Sequence, residues 1–92
     1  MALLSASERE TLTRDHPAWE VAGEEAGRQF EFSDFNEAMG FVTRVALAAE
    51  KADHHPDIDI RWNKVKLVLS THSEGGLTNK DADMVEVIDE MI

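Results

Sequence analysis

The chain has 92 residues, no cysteine, and 19 acidic against 9 basic side chains, for a net charge of −10. That length holds one small domain over residues 1–92 with limited burial to spare, so help from self-association is expected. The charge repels phosphate backbones and argues against nucleic-acid binding, the lack of cysteine removes disulfides, thiolate metal ligands and a Cys nucleophile, and no apolar run is long enough to span a bilayer.

Met1-Ala2-Leu3-Leu4 lacks the basic flank and long apolar region of a signal peptide, so the expected compartment is the cytoplasm. Ser7, with Glu10 three positions on, forms a capping-box pattern that starts a short helix, and His16-Pro17 ends it. His16 reads as a solvated loop residue. Trp19-Glu20-Val21 reads as a short strand, Gly23 to Gly27 as a turn, and Arg28 to Phe32, with its alternating phenylalanines, as a half-buried second strand. Ser33 or Asp34 caps a long helix to about Asp53, whose apolar stripe is Phe35, Ala38, Met39, Val42, Val45, Ala46 and Ala49.

Pro56 disfavours helical geometry at His55. Beyond it Ile58, Ile60 and Trp62 alternate, then Val65, Leu67, Leu69 and Thr71, which predicts a hairpin with Asn63-Lys64 as its turn and Trp62 on the core side. Gly75-Gly76 breaks the pattern. Thr78 then opens a last helix, with Asp81 completing its cap and Met84, Val87, Ile88 and Met91 facing inward. The order α-β-β-α-β-β-α describes an α+β fold, a four-stranded antiparallel sheet with helices packed on one face. Its edges need covering, and pairing across a two-fold axis is one way.

Three of the four histidines fall between Glu50 and Asp81. With the turn at Asn63-Lys64, Ile60 faces Leu67, Ile58 faces Leu69 and His55 faces His72, so the fold-back carries His54-His55 to His72. His72 shares its parity with Lys64, Lys66, Val68 and Ser70, the face a ligand can reach. Glu50 lies four residues before His54 and shares its helix face if the last turn holds. Imidazoles bracketed by carboxylates point to acid–base chemistry near neutral pH. They are also possible zinc or iron ligands, but adjacent histidines splay apart and no HExxH spacing is present, so no metal site is expected.

The set Glu50, His54-His55-Pro56, Trp62, His72 and Asp81 resembles the signature of the pterin-4a-carbinolamine dehydratases in both residue type and spacing. Arg28, Phe30, Phe32, Phe35, Ala38 and Phe41 also look like that family's upstream pattern. The resemblance implies dehydration of 4a-hydroxytetrahydropterin to quinonoid dihydropterin, in support of pterin cofactor recycling, with the pterin as substrate and no other cofactor. It implies His54, His55 and His72 as catalytic residues with Glu50 and Asp81 supporting: His54, backed by Glu50, as acid, His72 as base or pterin-nitrogen partner, and His55 orienting the ring. It further implies a homodimer or homotetramer. Two alternatives remain: a different, molybdopterin-related pterin, or the non-catalytic dimerisation role that animal members of the family play for a homeodomain transcription factor.

Overall fold

In the computed structural model, which describes residues 2–92, the chain enters extended. Leu3 bridges Thr78, and the Leu4 N–H donates to the Leu77 carbonyl at 2.8 Å. Helix α1 (Ala6–Asp15) therefore begins where that pairing ends, at Ser5, whose hydroxyl accepts the Glu8 N–H while the Glu8 carboxylate accepts the Ser5 N–H. The cap lies two residues ahead of the expected Ser7–Glu10 box, because backbone pairing to a distant segment selects the earlier of two equivalent serines. His16 closes the helix through its N–H to the Leu12 carbonyl. It is not a solvated loop residue: its Nδ1 lies 2.6 Å from Asp89 Oδ2, and the ring is partly buried.

Strands β1 (Glu20–Ala22) and β2 (Glu25–Glu31) join through Gly23-Glu24, with Ala22 paired to Glu25. The expected turn, Gly23 to Gly27, is too long. Gly23 takes φ 58, a left-handed conformation open to glycine, and closes the hairpin in two residues. Asp34 caps helix α2 (Phe35–Ala52), accepting the Glu37 N–H at 2.8 Å. The buried stripe of α2 is Ala38, Phe41, Val45 and Ala49. Phe35, Met39 and Ala46 instead face solvent, because the helix is rotated to seat Phe41 beside Phe30 and Phe32, at ring-centroid distances of 4.7 and 5.1 Å.

Strands β3 (Asp57–Arg61) and β4 (Lys64–Leu69) complete an antiparallel sheet in the order β1-β2-β4-β3. Ile60 pairs with Val65 and Ile58 with Leu67, so the turn is Trp62-Asn63 and the register is shifted by two residues from that expected. Parity survives such a shift. Val65, Leu67 and Leu69 still face the helices, while Lys64, Lys66 and Gln29 line the open face. The turn is set by Asn63, whose carbonyl accepts the Phe32 N–H at 2.9 Å and whose Nδ2 donates to the Phe32 carbonyl at 2.8 Å. Docking Asn63 against Phe32, just past the end of β2, pushes Trp62 to the hairpin tip, at φ 54 and 67% exposed, rather than into the core.

A short 3-10 turn (His72–Glu74) leads to helix α3 (Asn79–Asp89), capped by Thr78 with Asp81 as the reciprocal partner. Asp81 is itself buried, and it sets the phase of α3 so that Met84, Val85 and Ile88 face inward and Val87 is left 39% exposed. At the far end of α3, Asp89 receives Trp19 Nε1–H at 2.8 Å and Arg28 Nη1–H at 2.6 Å, with the Arg28 guanidinium 4.5 Å from the Phe30 ring centroid. Among the described residues no helix is long and apolar enough to cross a membrane.

If Asn63 sets the hairpin, Asn63→Ala lowers unfolding free energy by about 1–2 kcal/mol, whereas Trp62→Ala at the exposed tip changes it by no more than about 0.5 kcal/mol. Urea unfolding followed by circular dichroism measures both, and a larger loss for Trp62→Ala would contradict this account of the turn.

Candidate functional site

The site begins where α2 ends. Pro56 excludes helical geometry from the preceding residue, and the chain leaves the helix through Asp53 at φ 51, ψ 44. The Asp53 N–H reaches the Glu50 carbonyl at 3.2 Å and the His54 N–H reaches the Ala49 carbonyl at 3.1 Å, the bonding pattern of a Schellman ending. This left-handed residue breaks the four-residue alignment of Glu50 with His54. His54 turns inward, and His55 comes back over Glu50.

The His54 side chain is 11% exposed, and its Nε2 lies 2.6 Å from Asp81 Oδ1. Asp81 has no exposed surface. Its other oxygen accepts the Thr71 hydroxyl at 2.7 Å and the Thr78 N–H at 2.9 Å. A carboxylate removed from water is tolerated only when its oxygens are matched by polar partners, and here both are. Asp81 thus caps α3 and anchors His54, two roles its sequence position allows.

The second pair is His55 Nε2 against Glu50 Oε1, at 2.5 Å, with side chains 54% and 77% exposed. Glu50 therefore backs His55, not His54 as expected. Such an exposed pair orients a ring but adds little stability.

The structure also corrects the placement of His72. Strand β4 stops at Leu69, so His72 sits on the 3-10 turn rather than opposite His55. Thr71 and Gly76 exchange backbone hydrogen bonds across that turn, and Gly75 at φ 72 closes it. His72 is exposed, and among the described residues its ring has no hydrogen-bond partner. With Asp57 opposite Val68, the register places His54 level with Thr71, and both side chains do meet on Asp81. Asp81 therefore holds His54 by one oxygen and the residue before His72 by the other.

Thr71 and Thr78 were not among the sequence candidates. Thr71 shares the buried parity of Val65, Leu67 and Leu69, and a hydroxyl there needs a buried partner, which is the available signal. Among the described residues no three His, Asp or Glu side chains gather as a metal cluster. The geometry instead offers two imidazoles, each held by its own carboxylate, and a third ring open to a ligand.

Residues 2–91 match the family described as Pterin 4 alpha carbinolamine dehydratase. A provisionally named pterin-4-alpha-carbinolamine dehydratase of Roseiflexus castenholzii is 50% identical over 91 residues, 99% of this chain and 98% of its own. A counterpart in Nocardia farcinica, named in the same provisional way, is 49% identical over 89 residues, 97% and 94% of the two chains. The crystal structure of a transcriptional coactivator/pterin dehydratase from Brucella melitensis superposes with a TM-score of 0.92 at 37% identity, over 98% of each chain. A pterin dehydratase-like protein identified as a RuBisCO assembly factor in the α-carboxysome shares the fold alone, with a TM-score of 0.69 at 18% identity over 80% of this chain and 88% of its own.

The two carboxylates differ sharply in what their loss costs. Asp81→Ala leaves His54 and Thr71 unpaired in the interior and lowers stability by about 3 kcal/mol or more. Glu50→Gln, at the surface, changes it by less than about 1 kcal/mol. Paired denaturant titrations should give that order, and equal losses would contradict the burial-based ranking.

Proposed function

The chain belongs to the pterin 4 alpha carbinolamine dehydratase family, and from that premise we propose that it dehydrates a 4a-hydroxytetrahydropterin to the quinonoid dihydropterin in pterin cofactor recycling. The observation that carries the proposal is His54, almost wholly enclosed and held on a buried carboxylate, beside a second imidazole–carboxylate pair at the end of the same helix. Loss of water breaks the C4a–O bond and makes a C4a=N5 bond. An acid gives its proton to the departing hydroxyl, and a base takes the proton from N5. Each such transfer contributes roughly 10²–10⁴ in rate. His54 is the acid, backed by Asp81. His72, exposed on its turn, is the base or the partner of a pterin nitrogen. His55, steadied by Glu50, orients the ring. The pterin is the substrate, and the scheme uses no other cofactor.

The same reading makes the protein a homodimer or homotetramer. Supporting it are the unpaired edges of β1 and β3 and the exposed apolar side chains Phe35, Met39 and Leu47 on α2. Those side chains are also what favours the second reading, a non-catalytic binding protein.

Purified protein is expected to accelerate dehydration of synthetic 4a-hydroxytetrahydropterin, followed by absorbance, at an unchanged rate after chelator treatment. His54→Ala and His72→Ala each lower kcat by roughly 10²–10⁴ without loss of the circular dichroism spectrum. Near-wild-type turnover in both variants removes the assigned roles. A wild-type protein with no turnover at all favours the binding reading. Size-exclusion chromatography with light scattering is expected to give a dimer or tetramer mass, and a monomer would count against the association.

A further inference from the structure

The polar hydrogens around Asp81 can be assigned from the atoms they face. Asp81 Oδ2 lies 2.7 Å from Thr71 Oγ1, which lies 2.8 Å from Thr78 Oγ1. Each hydroxyl has a single proton to donate. Thr71 uses its proton on the carboxylate, so the bond between the two threonines takes the proton of Thr78. The Thr78 oxygen is then free to accept the Lys80 N–H at 3.3 Å, at the start of α3. Oδ2 also accepts the Thr78 N–H, which leaves Oδ1 for the ring of His54. Set against a carboxylate oxygen that no other donor meets, Nε2 takes the donor's part.

We propose that Thr71 is a positioning residue: its hydroxyl, held by Thr78, fixes the Asp81 carboxylate so that His54 keeps a hydrogen on Nε2 and moves its working proton at Nδ1. In the dehydration proposed above, on which the kinetic part of this inference rests, the cationic ring gives its Nδ1 proton to the leaving hydroxyl. It returns as the neutral Nε2–H tautomer, already paired with Asp81, so no rearrangement of the buried network is needed. Thr71 also precedes His72 and its backbone is bridged to Gly76, so one residue joins the acid, through its side chain, to the turn that bears the third histidine, through its backbone. Replacing the hydroxyl by a methyl of the same shape removes the donor, leaves Thr78 without its acceptor and frees the carboxylate to rotate.

The test needs no pterin for its first part. In ¹⁵N-labelled protein, two-bond ¹H–¹⁵N correlation spectra at a pH where the His54 ring is neutral are expected to show the Nε2–H tautomer. Finding the Nδ1–H tautomer in the wild-type protein overturns the proposal outright. In Thr71→Val the His54 signals are expected to move towards a mixture of tautomers. With 4a-hydroxytetrahydropterin, kcat is expected to fall roughly ten- to a hundredfold while KM stays within about twofold. Thr71→Ser, which restores the donor, recovers both. A folded Val variant with unchanged His54 signals, or a Ser variant as impaired as the Val variant, also overturns it. If the Val variant does not fold, the wild-type spectrum and the Ser variant decide. If the wild-type protein does not turn the pterin over, the dehydratase reading falls, while the tautomer measurements still judge the role of Thr71.

Discussion

A carboxylate with no access to water has to be met by donors on every side, and in this protein that demand falls on Asp81. The partners come from three places: His54 just past the end of α2, Thr71 just past the end of β4, and the cap of α3 at Thr78. The elements that build the site are thus held together by the group that serves it. Asp81 also lies in the first turn of α3, where the helix dipole favours a negative charge, so burial and helix electrostatics act at the same point. A hydrophobic residue in place of Asp81 alone would strand His54 and Thr71 in the interior, losing stability and the orientation of the ring together.

The other end of α3 carries the opposite arrangement. Asp89 sits in the last turn, where the dipole disfavours a carboxylate, and it is compensated by Arg28, by the Trp19 indole N–H and by His16. These partners come from β2, from the segment before β1 and from the end of α1. One acid therefore ties α3 to the site and another ties it to the rest of the fold. The rings of Trp19, Phe30 and Phe41 pack in succession in the core, Trp19 edge-on to Phe30 and Phe30 tilted against Phe41.

What could be read directly from the residues was whatever depends on local periodicity. The alternation in Val65, Leu67 and Leu69, the Thr78–Asp81 cap and the break at Gly75-Gly76 all appear where the pattern puts them. Family membership was legible because it rests on residue types at fixed spacings. The misread features have tertiary causes. The hairpin register depends on Asn63 docking against Phe32, which lies 31 residues away in the chain. The pairing of His16 with Asp89 spans 73 residues. The exchange of partners between Glu50 and Asp81 follows from a left-handed Asp53, a conformation that would be foreseen at a glycine but that nothing local announces at an aspartate. The two-residue register error did little harm because strand faces repeat every two residues. It did misplace Trp62, for which a side of the strand was exchanged for the tip of a turn.

The uncovered side of the sheet differs in character from the molecule around it. Across its strands Lys64, Lys66 and Arg61 interleave with Glu31, Asp59, Asp57, Glu25 and Glu20, so this side holds only a small part of the chain's net charge of −10. The surplus negative charge must then be concentrated over the helices and loops. Two such molecules drifting together would experience a field that differs with their mutual orientation, weakest when they meet sheet side first. With screening over roughly 8 Å at physiological ionic strength, that bias operates only in the final approach, as a filter on encounter geometry rather than a long-range attraction.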